Sequence, residues 1–162
     1  DLINFLEDST LPIPVIHSFF DYLCHSAHAL RESLNTYFSG EQKDGFTPIF
    51  YVNERNHMIA VIIAEKREDS QAPGELNSIL ANTRLAYLGE DFLASDCYGQ
   101  LSCSSCVVDV VKGSLVNPEP RDEEFDMLSI DPDVVPTDCT RLSCQSIVGN
   151  EPLIVVIRSY GN

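Results

Sequence analysis

Basic side chains and long apolar runs are both scarce in this sequence. Lysine and arginine number 10 in 162 residues, against 25 aspartates and glutamates, so the formal net charge at pH 7 is −15. Such a chain repels nucleic-acid phosphates and anionic lipid headgroups, which argues against both as partners. No apolar run approaches the roughly 20 residues of a membrane span, so none is predicted. The charge suits a basic protein partner, although simple solubility also accounts for it.

The first residues show no targeting pattern that we recognise. They contain neither the basic start of a secretory signal nor an Arg-rich amphipathic stretch. Because the chain begins with Asp1 rather than Met, we expect a processed or incomplete chain. The 44% apolar and 22% charged residues are an ordinary globular balance, and the length suits one domain with an extension.

An amphipathic helix is predicted before residue 45. Apolar residues recur at steps of three and four through residues 14–38, at Ile16, Phe19, Leu23, Ala27, Leu30, Leu34 and Phe38. Pro12 and Pro14 lie where a helix can begin, and the polar segment that follows is a turn or linker. Residues 1–45 are therefore predicted to form one long helix behind a short leader.

The remainder of the chain alternates strand and helix patterns. The predicted order is strand, strand, helix, cysteine loop, strand, acidic helix and strand. The corresponding segments are TPIFYV (47–52), MIAVIIAEK (58–66), GELNSILANTRLAYLG (74–89), CYGQLSCSSC (97–106), VVDVVKGSLV (107–116), NPEPRDEEFDMLSI (117–130) and LIVVIRSY (153–160).

Three of the six cysteines fall within ten residues, at Cys97, Cys103 and Cys106. Two iron ions bridged by two sulfides need four thiolates, and a short loop of small residues can supply three of them. The fourth must come from elsewhere in the chain. Cys139 and Cys144 are the candidates on spacing alone.

Other uses of clustered cysteines remain as alternatives. A structural zinc site usually shows two short C-x2-C pairs, whereas this chain has one, from Cys103 to Cys106. A thioredoxin-like dithiol needs a helix after its C-x-x-C, but a strand-like segment follows here. A framework of three disulfides is typical of small exported proteins, and no export signal is present. Zinc therefore ranks second to an iron–sulfur cluster.

Three motifs in order resemble the adrenodoxin-type [2Fe–2S] ferredoxins of mitochondria and bacteria. CYGQLSCSSC resembles their cluster loop, DEEFDML (122–128) their acidic segment, and RLSCQ (141–145) their RLxCQ motif. The resemblance covers roughly residues 46–162. It implies an α+β fold of the β-grasp type with a [2Fe–2S] cluster. The implied ligands are Cys97, Cys103, Cys106 and Cys144, and Cys139 is then not a ligand.

The resemblance also implies a function, one-electron transfer without catalytic residues of the protein's own. The implied location is mitochondrial, in the matrix or on the matrix side of the inner membrane. The implied partners are a basic reductase or acceptor that docks on acidic residues, here Asp122, Glu123, Glu124 and Asp126. Ser129 departs from the family, which usually has another acidic residue there.

An extension of 45 residues suggests a second hypothesis. Under this hypothesis, the chain is a fixed subunit of a large mitochondrial complex, such as the ferredoxin bridge of complex I, and its cluster lies off the main electron path. The predicted domains are residues 1–45, the helical extension, and residues 46–162, the ferredoxin domain. Because the family builds its core without such a helix, we expect the apolar stripe to dock on another chain.

Overall fold

The computed structural model describes residues 2–40, 46–53, 58–65, 85, 107–130, 134–149 and 151–157. Besides the helical residue Leu85, this part of the chain contains four helices, five strands and a short 3-10 helix. They are α1 (Leu2–Glu7), α2 (Ile13–Cys24), α3 (His28–Phe38), β1 (Phe46–Asn53), β2 (Met58–Glu65), β3 (Val107–Lys112), α4 (Asp122–Ile130), β4 (Thr140–Leu142), the 3-10 helix (Ser143–Gln145) and β5 (Leu153–Ile157). None of the helices described has the length and apolar character needed to cross a bilayer.

The five strands form one mixed sheet in the order β2-β1-β5-β3-β4. The first and last strands, β1 and β5, pair in parallel at its centre, and the other pairs are antiparallel. This is the predicted α+β architecture of the β-grasp type, which is confirmed. The helix predicted at 74–89 lies outside the described residues except for Leu85, which is helical and fully buried.

The central strands are apolar on both faces of the sheet. Successive side chains of a strand point to opposite faces, so the run Ile49 to Val52 supplies two residues to each. The run Leu153 to Val156 in β5 does the same, and all eight side chains are buried. Continuous apolar runs of this kind are typical of a sheet that is covered on both sides.

One face of the sheet forms a core with the segments that follow β3 and β4. Its buried members are Ile49, Tyr51, Ala60, Leu85, Val108, Leu115, Val148, Leu153 and Val155. The backbone N–H of Leu85 donates to the carbonyl of Ser146 at 2.8 Å, which fixes this residue over the sheet. Burial raises the pKa of Tyr51, so its hydroxyl stays neutral inside this core.

The other face of the sheet is covered by the three N-terminal helices. Their buried residues Leu6, Ile16, Phe19, Leu23 and Leu34 pack with Phe50, Val52, Val61, Ile154 and Val156. The ring of Phe19 meets that of Phe50 edge to face, with the centroids 5.4 Å apart. The apolar stripe is therefore covered within this chain, contrary to the expectation that it docks on another protein.

The single long helix expected over residues 14–38 is also wrong, because the chain turns between α2 and α3. His25 ends α2, and its backbone N–H donates to the carbonyls of Asp21 and Tyr22, while Ala27 adopts an extended conformation before α3. An unbroken helix of that length would extend about 37 Å. The eight-residue strands beneath it span about 26 Å. The turn lets both helices lie on the sheet.

We predict that the helices are part of the folded core. Replacing Phe19, which is fully buried, with alanine leaves a cavity against Phe50. The Phe19→Ala change should lower the free energy of unfolding by about 3–5 kcal/mol. Ile13 is 67% exposed on the same helix. Ile13→Ala, the control, should change the free energy of unfolding by less than about 0.5 kcal/mol.

Urea unfolding followed by far-ultraviolet circular dichroism measures both values. A helix that merely docks on another protein would unfold separately, and Phe19→Ala would then leave the unfolding midpoint of the sheet unchanged. A truncated chain that begins at Gly45 should be insoluble, because one apolar face of the sheet is then exposed to water.

Candidate metal centre

Of the four predicted cluster ligands, the structure describes Cys144. Cys97, Cys103 and Cys106 lie outside the described residues. In the sequence Cys106 comes directly before Val107, the first residue of β3, and Val107 pairs with Leu142 of β4. The β3–β4 pair therefore joins the segment after the cysteine loop to the segment that carries Cys144.

Cys144 is the middle residue of the 3-10 helix that follows β4, and it is fully buried. Its neighbours are apolar, namely Val107, Leu128, Val134 and Leu142. The side-chain amide of Gln145 donates to the Cys144 sulfur, with Nε2 and Sγ 3.6 Å apart. A thiolate in apolar surroundings needs such a donor, because burial without one disfavours its negative charge.

These surroundings fit an iron–sulfur ligand. A cluster requires thiolate sulfurs shielded from water and contacted by N–H groups. Cys144 offers a shielded sulfur with an amide donor aimed at it.

Cys139, the other candidate for the fourth ligand, lies in a different environment. It is partly buried in the turn before β4, and its sulfur lies 3.3 Å from the hydroxyl oxygen of Thr137. Its carbonyl accepts a hydrogen bond from the backbone N–H of Val110 at 2.9 Å. The choice of Cys144 over Cys139 as a ligand stays a prediction.

A buried ion pair connects the acidic helix to the strand before Cys144. Arg141 Nε donates to Glu124 Oε2 at 2.6 Å, and Arg141 Nη2 donates to Glu124 Oε1 at 3.3 Å. Both side chains are at most 3% exposed. Glu124 was expected to lie among the docking acids, and this expectation is wrong, because its carboxylate neutralises Arg141 inside the protein.

The sequence does carry a sign that Glu124 points inward. Glu124 and Leu128 are four residues apart, so they share one face of α4, and Leu128 is an apolar residue that needs cover. Both prove to be buried. The partner of Glu124, Arg141, is the first residue of the RLSCQ motif.

Asn117 is a further residue of the site that sequence reasoning missed. Its side-chain amide donates to the carbonyl of Gln145 at 2.8 Å, and its side-chain oxygen accepts from the backbone N–H of Ile147 at 2.9 Å. Its own carbonyl accepts from Arg141 Nη1 at 2.6 Å. Asn117 thus fixes the backbone just after Cys144 and ties it to the ion pair.

The outward side of α4 remains acidic without Glu124. Asp122, Glu123 and Asp126 are exposed. Two large apolar side chains are exposed on the same helix, Phe125 at 55% and Ile130 at 70%. The helix therefore presents both negative charge and apolar surface.

The comparisons with known proteins agree with this description. Residues 81–149 match the family model of the 2Fe-2S iron-sulfur cluster binding domain. None of the curated proteins matches the chain.

Several solved ferredoxins are similar in structure. The ISC-like [2Fe–2S] ferredoxin from Pseudomonas putida is 25% identical over 70% of this chain and 94% of its own, with a TM-score of 0.49. A variant of putidaredoxin, the Fe2S2 ferredoxin of Pseudomonas putida, is 19% identical over 70% of this chain and all of its own, with a TM-score of 0.51. The ferredoxin from Rhodopseudomonas palustris is 19% identical over 68% of this chain and 94% of its own, with a TM-score of 0.49.

These findings identify the fold and the cofactor. The likeness to putidaredoxin concerns the fold, since the identity is low. The match to the cluster-binding domain spans the predicted loop cysteines and Cys144. Residues 81–149 are thus similar to a [2Fe–2S] cluster binding domain, and the predicted [2Fe–2S] cofactor is confirmed.

We predict that Cys144, rather than Cys139, completes the ligand set. Cys144→Ser should lose or gravely weaken the cluster, as should Cys97→Ser, Cys103→Ser and Cys106→Ser, because each removes one of the four thiolates. Cys139→Ala should keep the visible spectrum. Visible absorbance with iron and sulfide analysis measures both. The assignment is wrong if Cys139→Ala bleaches the protein while Cys144→Ser does not.

We also predict that the protein is destabilised when one partner of the buried Arg141–Glu124 ion pair is removed. Arg141→Met leaves the Glu124 carboxylate buried without its partner, which should lower the free energy of unfolding by about 3–5 kcal/mol. The double change with Glu124→Leu should recover a large part of this loss. Arg121→Met is the matched control at an exposed arginine and should cost less than about 0.5 kcal/mol. Urea unfolding of the cluster-loaded chain provides the values, and equal effects of the two arginine changes would refute the prediction.

Proposed function

We propose that this protein is an adrenodoxin-type one-electron carrier that moves electrons between protein partners. The observation that carries the proposal is the arrangement of the buried Cys144 beside an acidic helix, α4. When bound, the [2Fe–2S] cluster takes up and releases one electron. The carrier has no catalytic acid, base or nucleophile in this proposal, and the chain's residues hold, shield and present the cofactor.

The apolar side chains around Cys144 keep water from its sulfur. Leu128 of α4 takes part in this packing, together with Val134 and Leu142. The same helix presents its opposite side to solvent. The helix that shields the ligand is therefore also the helix that a partner can contact.

The charge of α4 favours a basic partner. Three exposed carboxylates raise the rate of encounter with a positively charged protein and orient it. Phe125 lies among them at 55% exposure, and aromatic side chains are frequent anchors of protein interfaces. We infer a partner surface with lysines or arginines around an apolar pocket, as on a reductase or an electron acceptor.

The fixed subunit of a large mitochondrial complex is the second candidate. It is supported by the amphipathic extension before residue 45 and by the departure of the acidic helix from the family at Ser129. Because Ile16, Phe19 and Leu23 pack on this chain's own sheet, the extension no longer supports it, and the carrier is favoured. A mitochondrial location, which rests on the resemblance, remains part of the proposal for either function.

Gel filtration of a native extract separates the two candidates. A small species with the visible absorbance of the cluster is expected for the carrier, and a megadalton species for the subunit. The purified protein should take up one electron per chain and pass it to a basic acceptor such as cytochrome c. A cluster that no protein acceptor oxidises would count against the carrier.

We predict that the exposed acids of α4 steer the partner. Changing Asp122, Glu123 and Asp126 together to lysine should slow electron transfer to cytochrome c at low salt by about tenfold or more. The effect should shrink as salt rises, because salt screens exposed charges. Glu124 is left unchanged because it is buried.

The matched control carries the same change of charge elsewhere. Glu7, Asp8 and Asp21 are exposed in or beside α1 and α2, and all three become lysine. Stopped-flow rates at several salt concentrations compare the two triple variants. Equal rates in both would mean that net charge, rather than the α4 surface, controls the encounter.

A further inference from the structure

The amide of Gln145 occupies a special position beside the proposed ligand Cys144. Its Nε2 lies 3.6 Å from the sulfur, and Gln145 is 8% exposed. We propose that Gln145 sets the reduction potential of the cluster by donating an N–H···S hydrogen bond to Cys144. This inference rests on the proposed ligation by Cys144.

The chemistry of the pair gives the direction of the effect. A cysteine thiolate is an acceptor without a proton to give, so the glutamine must present its NH2 group to the sulfur. An added electron increases the negative charge carried by the ligand sulfurs, and a donor at the sulfur stabilises the state with more charge. Gln145 therefore raises the reduction potential.

Burial of the Cys144 sulfur strengthens this hydrogen bond. Water would compete for an exposed sulfur, but Cys144 is fully buried among apolar side chains. A hydrogen bond in such surroundings is electrostatically stronger than in water. Solvent cannot readily replace the donor if it is removed.

The backbone around Gln145 is held from both sides. Asn117 accepts from Ile147 and donates to the carbonyl of Gln145. The hydroxyl of Ser146 donates to the carbonyl of Leu142 at 2.8 Å. These contacts involve the main chain and leave the side-chain amide of Gln145 directed at the sulfur. Asn117 and Ser146 thus hold the main chain that carries the Gln145 donor, and the bonds they make for this purpose do not involve the sulfur.

Gln145→Met tests the proposal in the full, cluster-loaded chain. Methionine has a similar length and no N–H group, so the variant removes the donor and keeps the volume. The reduction potential should fall by about 59 mV, which corresponds to a tenfold change in the one-electron equilibrium constant. Spectroelectrochemistry measures the potential while the visible spectrum reports that the cluster is retained.

Thr47→Val is the matched control. Thr47 is fully buried, and its hydroxyl donates to the carbonyl of Gly149 at 2.7 Å rather than to sulfur. This variant should keep the native potential even if it loses stability. An equal shift in both variants, or no shift in Gln145→Met, would overturn the proposal.

A measurement on the native sequence does not depend on how a variant folds. With ¹⁵N in the side-chain amides of its glutamines, the reduced protein should show a ¹⁵N hyperfine coupling in pulsed electron paramagnetic resonance. Gln145→Met should lack it. Absence of the coupling in the native chain refutes the role of Gln145. By contrast, a Cys144→Ser chain with an unaltered cluster refutes the ligand assignment, and a native coupling with failed transfer to protein acceptors refutes the carrier function alone.

Discussion

The structure depends on one constraint, that both faces of the central sheet must be removed from water. Strands β1 and β5 are apolar on each side, so a single covering layer leaves a row of large side chains exposed. The segments after β3 and β4 cover one face and helices α1–α3 cover the other. The break between α2 and α3 follows from this constraint, since two short helices fit over the strands where a longer one would overrun them.

A second organising feature is the arginine of the RLSCQ motif. Arg141 joins three parts of the chain, since it bonds to Glu124 of α4 and to the carbonyl of Asn117 and lies in β4. Asn117 in turn holds the backbone beside Cys144. The helix proposed to meet a partner and the residue proposed to bind the cluster thus belong to one buried polar network. Such networks fix a single geometry when each member is satisfied.

The sequence was informative where local patterns and motif spacing decide the outcome. The apolar runs located β1, β2, β3 and β5, and the cysteine spacing led to the cofactor. Contacts between residues far apart in the chain were harder to predict from the sequence. The local pattern around Glu124 predicts a surface acid, because its partner Arg141 is 17 residues away. Helical periodicity likewise predicts that one face of the N-terminal helices is buried, but it does not show which part of which chain covers that face. The continuous apolar run of β5 indicates that both faces of the sheet are covered, since strands with one solvent-exposed face alternate apolar and polar residues.

The place of β5 in the sheet has a consequence for how the protein is made. This strand is the last of the strands described, yet it lies at the centre of the sheet, between β1 and β3. Ile154 and Val156 help to bury helices that leave the ribosome more than 100 residues earlier. Until β5 emerges, the central position of the sheet is empty and the apolar face of α2 lacks part of its cover. Contacts so distant in sequence slow folding and prolong the exposure of apolar surface. A growing chain of this protein should therefore keep apolar surface exposed until β5 has been made.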